Sequence, residues 1–157
     1  MSDAKLQPGD KAPAIALKDQ DGTTVRLSAF KGRKVLVYFY PKADTPGCTA
    51  QACAVRDALA DLAHHGVAAV GVSPDKPKAQ QKFYLKYGLG FPLLADVNHA
   101  VAEAYGVWGE KSMYGKTYMG ITRSAFLIDE KGIITHAWYG ISPKDTVPKV
   151  MEALGVS

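Results

Sequence analysis

With 157 residues, 47% of them hydrophobic and 22% charged, the chain has the composition of one globular domain large enough to bury its own core, which excludes disordered, collagen-like and disulfide-stapled classes. The net charge of +4 is spread from Lys5 to Lys149 with acidic residues interleaved, and this argues against a nucleic-acid-binding stripe. No stretch is apolar over the length of a bilayer and residues 1–8 carry no apolar leader, so no membrane contact and a cytoplasmic, reducing location are expected, where two cysteines point to redox chemistry.

In chain order, residues 6–14 form a lead-in punctuated by Pro8, Gly9 and Pro13. Residues 15–17 and 23–27 read as an N-terminal β-hairpin around Asp19-Gln20-Asp21-Gly22. Asp19, Asp21 and Gly22 lack the later ligands and closing glutamate of a calcium loop, so the turn is the better reading. After a short turn at 28–32, residues 34–40 are a buried strand by their β-branched and aromatic content. Pro41 ends that strand. Thr45 is placed to cap a helix with Pro46 at its first position, and from about Cys48 the pattern is helical to about residue 65, closed by Gly66.

Residues 67–73 are a second buried strand, and strand–helix–strand predicts a right-handed parallel crossover. A helix over 76–87 broken by Gly88, an extended piece at 91–96 and a short helix at 98–105 follow. Residues 106–120 read as a glycine- and aromatic-bearing loop. Residues 123–128 and 132–138 pair as a hairpin, and Ser142-Pro143-Lys144-Asp145 caps a last helix to about residue 154. The fold class is α/β in a single domain over 1–157: two parallel central strands, a C-terminal antiparallel hairpin and helices on both faces.

The chemistry gathers where the first buried strand meets its helix. Cys48 stands at a helix N-terminus beyond the carboxyl end of a strand, where unpaired backbone N–H groups and the helix dipole favour a thiolate. Four residues separate it from Cys53, so this is not the Cys-x-x-Cys of thioredoxin-type oxidoreductases. On an intact helix that interval sets the Cα atoms about 8.6 Å apart, beyond the roughly 7 Å a disulfide tolerates. The two thiols can therefore be bridged only if the first turns unwind. Cys48 lies on the apolar stripe with Ala52, Val55, Leu59 and Leu62, whereas Cys53 shares a wetter face with Arg56 and Asp57. That facing makes Cys48 the activated nucleophile and Cys53 the group reached afterwards, an order suited to peroxide reduction through a sulfenic acid. Two inert buried thiols are the plain alternative.

Pro41-x-x-x-Thr45-x-x-Cys48 resembles the active-site motif of peroxiredoxins. The longer string from Tyr38 to Thr49, followed by Ala52-Cys53 and Arg56-Asp57, is similar to the peroxiredoxin Q group, also called bacterioferritin comigratory protein. Gly106-Val107-Trp108-Gly109-Glu110-Lys111 and the stretch from Arg123 to Asp129 extend the resemblance over nearly the whole chain. The resemblance implies a thioredoxin-like fold with a central mixed sheet flanked by helices. It implies Cys48 as peroxidatic and Cys53 as resolving cysteine, and an intrachain disulfide re-reduced by thioredoxin or a similar dithiol. Thr45 would hydrogen-bond the thiolate and the peroxide, Arg123 would supply a cation to both, and Pro41 would shield the thiolate from water. Substrates would be hydrogen peroxide and organic hydroperoxides, with no cofactor, no metal and a monomeric state. The residues agree: Arg123 is the only arginine after Arg56 in a lysine-rich chain, which fits a demand for a fork-shaped donor.

A general thiol–disulfide oxidoreductase and a non-catalytic peroxide sensor are the rival readings. His64, His65, His99 and His136 do not have zinc-ligand spacing, and residues 106–112 lack the interval of a phosphate loop. Tyr40, Phe83, Tyr84, Trp108 and Tyr114 are candidates for the approach to Cys48 or, equally, for packing. Arg56 and Asp57 read as a helix-surface pair.

Overall fold

The computed structural model describes residues 5–156, and the reading of residues 1–4 as part of a leader-free terminus lies outside them. The elements are β1 (Ala16–Lys18), β2 (Thr24–Arg26), β3 (Lys34–Phe39), α1 (Pro46–His64), β4 (Val67–Ser73), α2 (Pro77–Tyr87) and β5 (Leu93–Ala95). After these come α3 (Ala100–Ala104), β6 (Trp108–Met113), β7 (Lys116–Ile121), β8 (Ser124–Ile128), β9 (Ile134–Tyr139) and α4 (Thr146–Ala153).

The side chains of β3 alternate between two layers of core, as a strand's period of two requires. Leu36 and Tyr38, with Tyr40 just beyond, pack with Cys48, Val55 and Leu62 of α1, Phe83 of α2 and Val150 of α4. Val35, Val37 and Phe39 pack with Val101 and Ala102 of α3, Tyr105, Phe126 and the N-terminal Ala12 and Ile15. Three helices thus cover one face and the short α3 the other. The seven-stranded sheet has the order β2-β1-β5-β4-β3-β8-β9, with β3, β4 and β5 parallel and β8 antiparallel to β3. This is the mixed sheet of a thioredoxin-like fold. Burial on both sides is why β3 and β4 read as continuous apolar runs.

Gly66 closes α1 at φ 73°, the left-handed conformation that glycine adopts without a Cβ penalty. Asp19 Oδ1 accepts from the N–H groups of Asp21 and Thr23 at 2.9 and 3.0 Å, so the N-terminal acidic cluster is a hairpin turn. The extended piece after α2 contains β5, a third parallel strand that pairs with β4.

Two expectations are corrected. Residues 108–121 are a second, two-stranded sheet, β6 with β7, rather than a loop. Its turn is Tyr114-Gly115, both at positive φ (53° and 77°), a hairpin turn built without the Asn-Gly or Asp-Gly that announces one. The C-terminal helix begins at Thr146 after a 3-10 turn over Pro143–Asp145, with Ser142 extended ahead of that turn, as short 3-10 turns often lead into α-helices.

Candidate active site

Pro41 releases the chain from β3, and residues 41–45 form a bridge to α1 that is tied down from below. Ala43 N–H donates to Asp75 Oδ2 at 2.7 Å, and Ser73 Oγ at the end of β4 donates to the same oxygen at 2.7 Å. Asp44 is held at φ 60°, an uncommon conformation for a residue with a Cβ. Its carboxylate is clamped by Lys86 Nζ and Tyr87 Oη, each at 2.9 Å, from the end of α2. Those two donors hold the Asp44 carboxyl below the usual carboxylate range, the Lys86 hydrogen bond most of all. The loop that carries Thr45 is therefore fixed to α2 and β4 before α1 begins.

Thr45 has the extended backbone of an N-cap, φ −96° and ψ 157°, and its carbonyl accepts from Thr49 N–H at 2.8 Å. Its hydroxyl does not cap the helix, which corrects the expectation of a side-chain cap. It donates instead to Lys42 O at 2.9 Å. The first N–H groups of a helix have no intrahelical acceptor, and Pro46 has none to offer. The N–H groups of Gly47 and Cys48 are thus left pointing out of the helix start, free of any Thr45 side-chain bond.

Cys48 is 2% exposed. A thiolate sulfur so buried needs opposite charge close by. Arg123, between β7 and β8, supplies it: Nη1 and Nη2 both donate to Cys48 Sγ at 3.5 Å. Gly47 makes room for this fork, since a Cβ there would stand 3.3 Å from Arg123 Nη2. Arg123 Nη1 also donates to Gln51 Oε1 at 2.8 Å. Gln51, fully buried one turn along from Cys48, donates through Nε2 to Thr146 Oγ1 at 2.9 Å, and Thr146 donates to Ser142 O at 3.0 Å. Among the described residues no carboxylate pairs with Arg123. A neutral amide thus orients the guanidinium without cancelling its charge.

Gln51 was not singled out in the sequence. The signal was available: a polar side chain three residues after Cys48 shares its helix face, inside an otherwise apolar stripe. Cys53 is half-buried and lies on the same unbroken α1, so both cysteines are free and set apart by the helix between them. Pro41 is half-buried at the start of the bridge and makes no polar contact with Cys48. Arg56 and Asp57 pair at 3.0 Å, as expected, and Arg56 Nη1 also donates to Tyr87 O at 2.7 Å.

Tyr40, Phe83, Tyr84 and Trp108 are packing residues. Tyr40 is buried with its hydroxyl on Gln80, Phe83 packs edge-on to Tyr87, and Trp108 stacks on His99 at 3.8 Å. Tyr114 projects from the tip of the β6–β7 hairpin, 95% exposed. Tyr38 differs from all of these: its buried hydroxyl has no hydrogen-bond partner, and burial pushes its phenol well above its ordinary value.

The AhpC/TSA family profile matches residues 8–137. The chain is 54% identical over 133 residues to peroxiredoxin Bcp of Escherichia coli, covering 85% of each. Its fold superposes on the bacterioferritin comigratory protein of Xanthomonas campestris with a TM-score of 0.85 at 35% identity, covering 90% of both chains. It superposes on peroxiredoxin Q of the same organism with a TM-score of 0.86 at 34% identity, covering 99% of this chain and 98% of that one. A buried cysteine at a helix start, forked by an arginine whose charge is left whole, therefore stands in a chain that belongs to the AhpC/TSA family, among the peroxiredoxins of the peroxiredoxin Q and bacterioferritin comigratory protein group.

Proposed function

We propose that this thiol-dependent peroxidase works through Cys48 as the attacking thiolate and Cys53 as the resolving thiol. The observation that carries the assignment is the pair of Arg123 nitrogens, both at 3.5 Å from Cys48 Sγ. Cys48 sulfur attacks the distal oxygen of a hydroperoxide, an S–O bond forms as the O–O bond breaks, and the leaving oxygen departs as alcohol or water after taking a proton. Negative charge passes from sulfur to that oxygen, and the guanidinium with the free N–H groups of α1 is already aimed at the place where it develops. Thr45 assists by turning its hydroxyl from Lys42 O toward the bound peroxide. Pro41 keeps bulk water off the sulfur.

Cys48 is then a sulfenic acid. Cys53 attacks that sulfur and expels water, leaving an intrachain disulfide. An interval of about 8.6 Å between the Cα atoms on a wound helix forbids this bond, so the first turns of α1 open to let it form. A dithiol of the thioredoxin type restores both thiols by exchange. The substrates are hydrogen peroxide and organic hydroperoxides. Alkyl peroxide reduction is the activity studied in the Xanthomonas campestris relative. Both cysteines come from one chain, so a monomer suffices. No helix among the described residues is long and apolar enough to cross a membrane, and a reducing cytoplasm would keep the pair ready.

The test follows peroxide loss with thioredoxin, thioredoxin reductase and NADPH. Cys48→Ser is expected to abolish turnover. Cys53→Ser is expected to consume one equivalent of peroxide and stop as a sulfenic acid that dimedone traps. Full turnover in both variants would overturn the assignment.

A further inference from the structure

At the opposite end of β3 from Cys48, a cavity of about 320 Å³ opens between the β1–β2 hairpin, the turn after it and the β8–β9 turn. Its floor is apolar: Ile15, Leu27, Phe30, Val35 and Ile128. Its walls are held by backbone hydrogen bonds. Leu27 N–H donates to Ile15 O and Gly32 N–H to Glu130 O, both at 3.0 Å, and Ala12 N–H donates to Gly132 O at 3.0 Å. The hollow is therefore preformed, and its size falls at the lower end of the about 300–1,000 Å³ typical of small-molecule sites.

The rim is cationic. Lys11, Arg26, Lys31, Arg33 and Lys131 all border the cavity, and each is exposed. Among the described residues none of the five is in an ion pair. Asp129 is the one carboxylate in the lining, and its Oδ1 is already taken by the N–H groups of Lys131 and Ile133 at 2.9 and 3.0 Å. We propose that this cavity binds an amphipathic monocarboxylate, an aliphatic chain laid on the apolar floor with its carboxylate at the basic rim.

The alternatives fit less of the site. Inorganic phosphate would satisfy the cations and leave the floor empty. A neutral lipid would do the reverse. A nucleotide base would need hydrogen-bonding groups on the floor, where Ser28 is the only neutral polar side chain. An aliphatic anion uses both halves.

The probe is decanoate, titrated calorimetrically into the full chain, with decanol and inorganic phosphate as controls. Saturable binding of decanoate at one site is expected, weakened by raising salt from about 50 to about 500 mM. The double variant Arg26→Glu/Lys131→Glu should weaken it about tenfold or more. Ala16→Trp, at an exposed position bordering the cavity, should block it while leaving the charge intact. Both variants should retain peroxide turnover, which also reports that they fold. In the wild type, amide shifts on adding decanoate should centre on residues 26–33 and 128–132. Equal binding of decanol or phosphate, indifference to both variants, shifts centred on residues 41–49, or no binding at all would each overturn the proposal.

Discussion

Arg123 and Gln51 show how much of this site depends on two side chains that a sequence treats differently. A guanidinium at that place was legible through the resemblance of the Arg123–Asp129 stretch to the peroxiredoxin Q group, and the scarcity of late arginines in a lysine-rich chain agreed with it. Its partner Gln51 was legible only as a polar residue on the Cys48 face of the helix, which does not say which group it holds. Replacing Arg123 by Lys keeps the charge and loses the fork, so kcat/KM is expected to fall about 10²–10³-fold with the fold intact, measured by competition for peroxide. Gln51→Ala leaves Arg123 unanchored and Thr146 without its donor. It is expected to lower thermal stability by about 1–3 kcal/mol and to reduce kcat/KM less than Arg123→Lys does. Thr45 shows the opposite case. Its place at the helix start was readable, but the direction of its hydroxyl depends on the Lys42 carbonyl brought within 2.9 Å by the turn. Tyr38 keeps a buried hydroxyl unpaired, a state that opposes folding. Tyr38→Phe is accordingly expected to match or exceed wild-type stability, by up to about 1 kcal/mol in urea unfolding.

At the scale of elements, α1 has to be both a platform and a hinge. Its apolar face, Ala52, Val55, Ala58 and Leu62, is buried against the sheet, which anchors the helix beyond its first turns. The first turns carry Cys48 at one end and have exposed Ala50 between the cysteines. Ala50→Gly weakens the local helix by about 1 kcal/mol. If unwinding gates the disulfide, its formation after a peroxide pulse should speed up about fivefold, followed by rapid thiol trapping and mass spectrometry. An unchanged rate would place the slow step elsewhere. Strands β3, β4 and β8 were readable as short continuous apolar runs buried on both faces, and α1 by apolar residues at helical spacing. Hairpin β6–β7 was not. Its six-residue strands expose most of their side chains, so burial imposes no alternation, and Tyr114-Gly115 is not a conspicuous turn pair.

For the whole molecule, the bridge between β3 and α1 is held by residues far away in sequence, and this makes its stability depend on pH. The Asp44 carboxyl is depressed in the folded chain by Lys86 and Tyr87. Its contribution is therefore fully present above the ordinary carboxylate value of 3.8 and is lost as pH falls through the lower folded value. Asp44→Asn, which keeps the tolerance for positive φ, is expected to lower Tm slightly at pH 7, and the difference should close as both proteins are melted at increasingly acid pH. The sequence by itself determined the α/β class, the strand–turn–helix that sets Cys48 at a helix start, and the distance that keeps Cys53 away while the helix is wound. These follow from local sterics, hydrophobic period and helix geometry, which act over a few residues. The tertiary structure alone decided the strand order, the Arg123–Gln51–Thr146 chain, the clamp on Asp44, and the gathering of five cations from positions 11 to 131 around one cavity. Each joins residues distant in the chain, and only the packing of the sheet brings them within reach.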